Sequence, residues 1–412
     1  MNTRVVLECR LCGSQKLFEV INLGYTPLAD RFLRITDPES PYVYYELILM
    51  QCQECGWNQL SNVVDPRILY QEDYPYDASV TYTGSKHWNE FAKDSLSEYG
   101  IPAGTKVIDI GSNVGALLSN FQNLGAECLG IDPSSTAAEK AIKAGINTKI
   151  NFFSQEITSE IINEFGTADI VTGTNVVAHV DDLHDFFSGI NIILNPKGVF
   201  QFEAPYFKNL VNQLQFDTIY HEHLSYLSIR PMVTFLAKHN LEIIRIQEHK
   251  IHGGSLRIDV AKIGARSPHP SVGDFLQIEA KEELNTHERM FEFSMNVRQL
   301  RREIRKLILD IQVTGKNIAI ASAPAKGMTM LHYCGLNHED FLTISDSAQQ
   351  KRGKLLPGIM VRVSSDTEML MYSPDYILVL AWNFKEEIIS NLKLIFPNTT
   401  KYIIPIPRVE VI

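Results

Sequence analysis

Between Tyr220 and Tyr226 the chain packs Tyr220, His221, Glu222, His223, Ser225 and Tyr226 into seven residues, inside the stretch "DTIYHEHLSYLSIRP". Two imidazoles, a carboxylate and two phenols this close exceed what an ordinary surface loop requires. Histidine is the side chain whose ordinary pKa lies nearest neutral pH, so an imidazole here can take or give a proton. In an extended segment His221 and His223 share one face and Glu222 points the other way. In a turn, all three splay toward different partners.

A second constellation lies upstream in "VIDIGSNVG", Val107 to Gly115. An apolar strand ends near Asp109, passes through Gly111 and Gly115, and enters a helix. Glycine allows the backbone to approach a ligand closely. The next strand ends in Asp132, where an acid can reach ribose hydroxyls. Such loops are shared by several nucleotide cofactors. A pyrophosphate fingerprint would read G-x-G-x-x-G, which Ser112-Asn113 does not supply. The turn instead resembles the first motif of class I methyltransferases. That resemblance implies S-adenosylmethionine rather than NAD, held by Asp109, Gly111, Asn113, Gly115, Asp132 and Asn175. Asn175 precedes "VVAHVDDL" at the end of the fourth core strand, where that fold lines the donor pocket.

Two C-x-x-C-G knuckles, Cys9/Cys12 and Cys52/Cys55, hold four of the six cysteines. Both pairs can close on one tetrahedral ion, and zinc with four thiolates leaves no open position, so the metal is expected to be structural. It would replace core that a domain this small struggles to build. The net charge of −10 argues against a nucleic-acid backbone as the main partner, including the alternative of a zinc-knuckle RNA-binding protein. No apolar run reaches the roughly 18 to 20 residues of a membrane helix. "MNTRVVLECR" lacks the features of a secretory signal, and a cytoplasmic location is expected.

At 412 residues, the chain is too long for one compact core. The division expected is a zinc-binding domain over 1–75, a methyltransferase domain over 76–265 and a substrate-binding domain over 266–412. From residue 105 strand-like and helix-like segments alternate, the signature of a parallel sheet with crossover helices. "LEIIRIQEH" and "GSLRIDVAKI" read as two more strands of that sheet. Val272 to Val313 has apolar residues at helical spacing and few breakers, and predicts a helix. The alternation then restarts from "NIAIASAP", predicting a smaller Rossmann-like domain and an α/β protein overall.

Taken in order, "CRLCG…CQECG", "DIGSNVGALL", "NVVAHVDDLHDF", "FEAPYF", "FDTIYHEHLSYLS", "HGGSLR" and "APAKG…YCG" resemble the sugar C-methyltransferases that act on nucleotide-linked keto-deoxysugars. The resemblance spans nearly the whole chain, and "YHEHLSY" is its most specific part. It implies that a base removes the C3 hydrogen beside a 4-keto group and that the enolate attacks the S-methyl carbon. Matched position by position, His223 is the implied base, with Glu222 orienting it or binding substrate. Tyr220 and His179 contact substrate or enolate, and Tyr74, with Tyr76 as second choice, closes the site. His221, Arg257 and Lys326 are expected substrate contacts, Arg257 and Lys326 through phosphate. Another small acceptor, a sugar hydroxyl or a different carbon acid, is the alternative. The sequence does not fix oligomeric state. "IASAPAKG" lacks the glycines usual before that motif, and "PGIMVRV" departs from the usual continuation; both fall in the third domain.

Overall fold

The computed structural model describes residues 3–34, 42–70, 82–99, 104–249 and 253–412. Three sheets organise them. The central one has seven strands in the order Leu241–His249, Ser255–Lys262, Leu194–Pro205, Ala168–Thr174, Lys106–Ile110, Glu127–Asp132 and Thr148–Ile150. The last five are parallel, and the first two join antiparallel at the edge. Both faces are covered, so the inner strands are apolar runs rather than alternating ones. The chain leaves Lys106–Ile110 in one direction and returns beside it as Ala168–Thr174. That reversal opens a crevice beyond the carboxyl ends of these two strands, the usual ligand position in such sheets.

The third domain repeats the plan on a smaller scale. Its six strands run Val363–Ser364, Ile344–Ser345, Ile318–Ala321, Tyr376–Val379, Lys401–Ile404 and Glu410–Val411, all parallel except the last. The expected single helix over Val272–Val313 is two, Ser271–Lys281 and His287–Val313. The break comes at "EELNT", where Glu283 has a left-handed backbone and the Thr286 hydroxyl accepts from the Arg289 amide, capping the second helix. No described helix is long and apolar enough to cross a membrane.

The zinc-binding region forms a four-stranded antiparallel sheet whose outermost strand is not its own. The order is Ser225–Tyr226, Asn58–Leu60, Tyr44–Cys52, Leu17–Pro27. Ser225–Tyr226 belongs to the histidine-rich segment, and Leu60 donates its amide to the Leu224 carbonyl at 3.0 Å. Arg10, inside the first knuckle and 8% exposed, donates to the carbonyls of Leu60 and Leu224 at 3.3 and 3.2 Å. At the other end of the segment, the Trp382 indole N–H donates to Asp217 at 2.7 Å and the Thr329 hydroxyl donates to the Ile219 carbonyl at 2.8 Å. Both donors come from the third domain, so the segment is held by both outer domains while the central sheet supports it from below. Replacing Trp382 by Phe removes the indole donor from a buried carboxylate. A cost of about 1–3 kcal/mol should appear as a lower urea midpoint.

Candidate active site

A single cavity of about 680 Å³ runs from the crevice of the central sheet to the third domain. At its end in the sheet crevice stand Asp109, Gly111, Asn113, Asp132 and Asn175, which sequence reasoning had grouped. Asp109 is 2% exposed and accepts the Thr172 hydroxyl at 2.7 Å, a bond between the two central strands. Burial pushes its pKa up to about 7, opposed by that hydrogen bond and reinforced by Asp132. Asp132 accepts the amides of Asn113 and Ser134, each at 2.8 Å, so its carboxylate locks the glycine turn onto the neighbouring strand. Gly111 has φ +68°, and a Cβ there would sit 2.4 Å from Val176 Cγ2. Gly115 does not line the cavity. Its left-handed backbone begins helix Ala116–Asn123, and it shapes the turn rather than touching a ligand.

The histidine-rich segment turns at His221 and Glu222, and its side chains part company. Glu222, His223 and Tyr220 line the cavity. His223 Nδ1 lies 2.9 Å from the Thr218 carbonyl, which can only accept, so Nδ1 carries the proton. Nε2 is then the basic nitrogen, and it accepts the Tyr220 hydroxyl at 2.8 Å. The orientation expected from Glu222 is therefore supplied by a backbone carbonyl, while Glu222 stands buried in the cavity wall, its own carbonyl accepting from the Tyr70 hydroxyl at 3.3 Å. The His179 ring lies 5.1 Å from that of His223 and stacks on Tyr70 at 5.7 Å and 13°. Burial holds its pKa well below the ordinary value, with His223 adding to the effect. Its Nε2 is buried without a hydrogen-bond partner among the described residues, and the residue lines the cavity.

Two expected substrate contacts point elsewhere. His221 is 3% exposed; its Nε2–H donates to the Glu46 carbonyl at 3.3 Å and its ring meets Tyr45 edge-on. Burial pushes its pKa down to about 4, and it serves as a neutral core residue of the zinc-binding sheet. Arg257 is 2% exposed and lies directly opposite Glu203 across the antiparallel strand pair. Its guanidinium donates to Glu203 at 2.8 Å and stacks 3.6 Å above the Phe91 ring, while His87 holds the other Glu203 oxygen at 2.8 Å. Arg257 is thus consumed in fixing helix Tyr82–Tyr99 to the sheet. Tyr74 and Tyr76 lie outside the described residues.

Lys326 does line the cavity, one residue into helix Ala325–Cys334. Its ammonium is bonded to Asn383 and sits 4.1 Å over the Trp382 ring, and burial lowers its pKa to about 8 against the pull of Asp217. Sequence reasoning did not single out Asp30 or Tyr70, which also face the cavity. Neither belongs to a motif whose spacing announces a site.

The four knuckle thiols fit a tetrahedral ion. Their Sγ atoms all lie within 4.8 Å of one another, with Cys9–Cys55 at 3.5 Å and Cys12–Cys52 at 3.6 Å. A zinc with Zn–S bonds of about 2.3 Å demands edges of about 3.8 Å. Thiols crowded to this degree share protons unevenly: a hydrogen bond from Cys55 pulls Cys9 down to about 5, while burial pushes Cys12 up to about 11.

Three family models match in succession: a zinc binding domain over residues 9–70, a methyltransferase domain over 85–246 and a C-methyltransferase C-terminal domain over 250–407. The chain is 33% identical over 410 residues to C-methyltransferase NovU of Streptomyces niveus, covering 99% of this chain and 97% of that protein. The chain belongs to the S-adenosylmethionine-dependent C-methyltransferases. This C-methyltransferase is also 32% identical over 97 residues to ubiquinone biosynthesis O-methyltransferase of Rhodopseudomonas palustris (strain BisA53), 24% of this chain and 38% of that one. Among solved structures, magnesium protoporphyrin IX methyltransferase (ChlM) from Synechocystis PCC 6803 with bound SAH covers 45% of this chain and 90% of its own, at 15% identity and a TM-score of 0.36.

Arg257→Met should leave the buried Glu203 with His87 as its one remaining side-chain partner among the described residues and cost about 3–5 kcal/mol in chemical denaturation. Acceptor KM should change little in the folded fraction, which separates a structural arginine from a phosphate ligand. Cys52→Ser should abolish stoichiometric zinc, read by metal analysis, and lower the unfolding temperature.

Proposed function

We propose that this C-methyltransferase transfers the methyl of S-adenosylmethionine to C3 of a 4-keto-deoxysugar carried on a nucleoside diphosphate, through an enolate. The observation that carries the reading is the His223 geometry: an imidazole with Nδ1 protonated and a basic Nε2, held in the wall of the cavity that also contains Asp109 and Asp132. The tautomer is fixed by the Thr218 carbonyl, so no tautomeric change precedes proton transfer.

In this scheme the Tyr220 hydroxyl shifts its hydrogen bond from Nε2 to the ketone oxygen as the acceptor enters. Nε2 takes the C3 proton, and the C–H electrons become the enolate double bond, with charge on the oxygen that Tyr220 stabilises. The enolate carbon bonds to the methyl carbon, and the electrons of the broken S–C bond return to sulfur. His179, held neutral by burial, contacts the acceptor from the cavity wall without competing for the proton. The sulfonium charge disappears during transfer, so a cavity with a largely apolar wall favours the transition state. Asp109, Asn113 and Asp132 hold the donor, with Asn175 beside its methyl end. The first turn of helix Ala325–Cys334 and Lys326 receive the diphosphate. The four thiolates hold a structural zinc. Tyr74 or Tyr76 completes the pocket.

Purified protein with labelled donor and nucleoside-diphosphate 4-keto-sugars should yield product methylated on carbon; methyl on oxygen, or on an unrelated acceptor only, would defeat the reading. His223→Ala should lower turnover by at least about a hundredfold while donor affinity is unchanged. Without donor, the wild type should exchange the C3 hydrogen into heavy water and the variant should not.

A further inference from the structure

A carboxylate faces this cavity that the scheme above leaves unused. Asp30 follows the buried Leu28 and Ala29 directly after strand Leu17–Pro27. Its backbone is held: the Phe32 amide donates to the Asp30 carbonyl at 3.0 Å, and Leu33–Arg34 pairs with Lys354–Leu355 of the third domain. The side chain lines the cavity, within electrostatic reach of Lys351 on one side and of the Tyr70 and Tyr220 phenols on the other.

The nearest cation does not close on it. Lys351 Nζ donates to the Ala323 carbonyl at 2.7 Å and lies 3.9 Å from Asp346, and it forms no ion pair with Asp30. Among the described residues no donor is hydrogen-bonded to the Asp30 carboxylate, and the residue is part-buried in the cavity wall. A carboxylate in such a place is costly unless a donor reaches it, and the open side is the one by which a ligand enters. Burial raises the pKa of Asp30 and Asp346 adds to that, while Lys351 opposes it.

We infer that Asp30 accepts a hydrogen bond from a hydroxyl of the acceptor sugar ring and thereby selects the acceptor. The inference deepens the keto-sugar reading and rests on it. A neutral donor suits the site better than an ammonium group, because the Lys351 ammonium stands beside it and would repel a second cation. A phosphate is excluded by the carboxylate itself, so the diphosphate lies toward Lys326. The proximity of Tyr220 places the recognised hydroxyl on the reacting ring rather than on the nucleoside. Asp30 therefore reads, from the zinc-binding domain, a sugar whose chemistry is done by residues of the central one.

The test uses the full-length, zinc-loaded enzyme with thymidine-diphosphate-linked 4-keto-6-deoxyglucose and its 2-deoxy and 3-deoxy counterparts. Affinity is measured calorimetrically with the demethylated donor product bound, and KM and kcat are measured with the donor. Asp30→Ala should weaken the hydroxylated acceptor by about 10- to 100-fold, mostly in KM, and erase the wild-type preference for one of the two hydroxyls. Asp30→Asn, which keeps an acceptor oxygen, should restore part of the loss. Donor affinity should stay constant in both. Unchanged acceptor discrimination in Asp30→Ala, or an equal loss of donor affinity, overturns the role of Asp30 while leaving the keto-sugar reading intact. A wild type that binds none of the three nucleotide sugars overturns that reading and this inference with it.

Discussion

The structure depends on the double anchoring of one segment, Asp217 to Tyr226. Its first end is fixed by the Trp382 indole on Asp217 and the Thr329 hydroxyl on the Ile219 carbonyl, both from the third domain. Its last end is a strand of the zinc-binding sheet, reinforced by Arg10. Between these anchors the chain turns, and that turn sends His221 into the zinc-binding core and Glu222 and His223 into the cavity. An imidazole on a free loop would lose the Thr218 carbonyl that sets its tautomer. The three domains are therefore joined through the segment that carries His223 in the cavity wall.

This arrangement would give an ion held by the four knuckle thiols a purpose beyond local folding. The knuckles flank strands Leu17–Pro27 and Tyr44–Cys52 and the strand Asn58–Leu60, which pairs with Ser225–Tyr226. Four thiolates around one ion would rigidify the two turns and so the frame on which the histidine-rich segment is laid. Arg10 carries the connection in side-chain form, reaching from between Cys9 and Cys12 to the Leu224 carbonyl and lying 3.5 Å from Asp181, close to His179.

The crevice of the central sheet follows a different logic. Two parallel strands that part in opposite directions leave their terminal backbone groups and Asp109 facing one crevice, and Asp132 then ties the glycine turn back to the sheet through two amides. The price of this arrangement is a carboxylate buried at Asp109, stabilised by a threonine hydroxyl from the adjacent strand.

Local pattern made much of this legible. The C-x-x-C-G spacing, the strand-turn-helix of "VIDIGSNVG" and the alternation of apolar segments each encode short-range structure, and the knuckles, the crevice residues and both doubly wound sheets lie as those patterns require. Side-chain direction was another matter. His221 and His223 are equivalent by type and spacing, and only the turn and the pairing of Ser225–Tyr226 send one inward and the other to the cavity. Arg257 in "HGGSLR" has the chemistry of a phosphate ligand, yet the antiparallel register sets it against Glu203, a partner more than fifty residues away. Asp30 carries no motif at all and gains its place from packing against the third domain. The sequence by itself determined which elements form and which chemistry is present. The tertiary structure decided which side chains meet in the cavity, because register, turns and contacts between distant segments set where each side chain points.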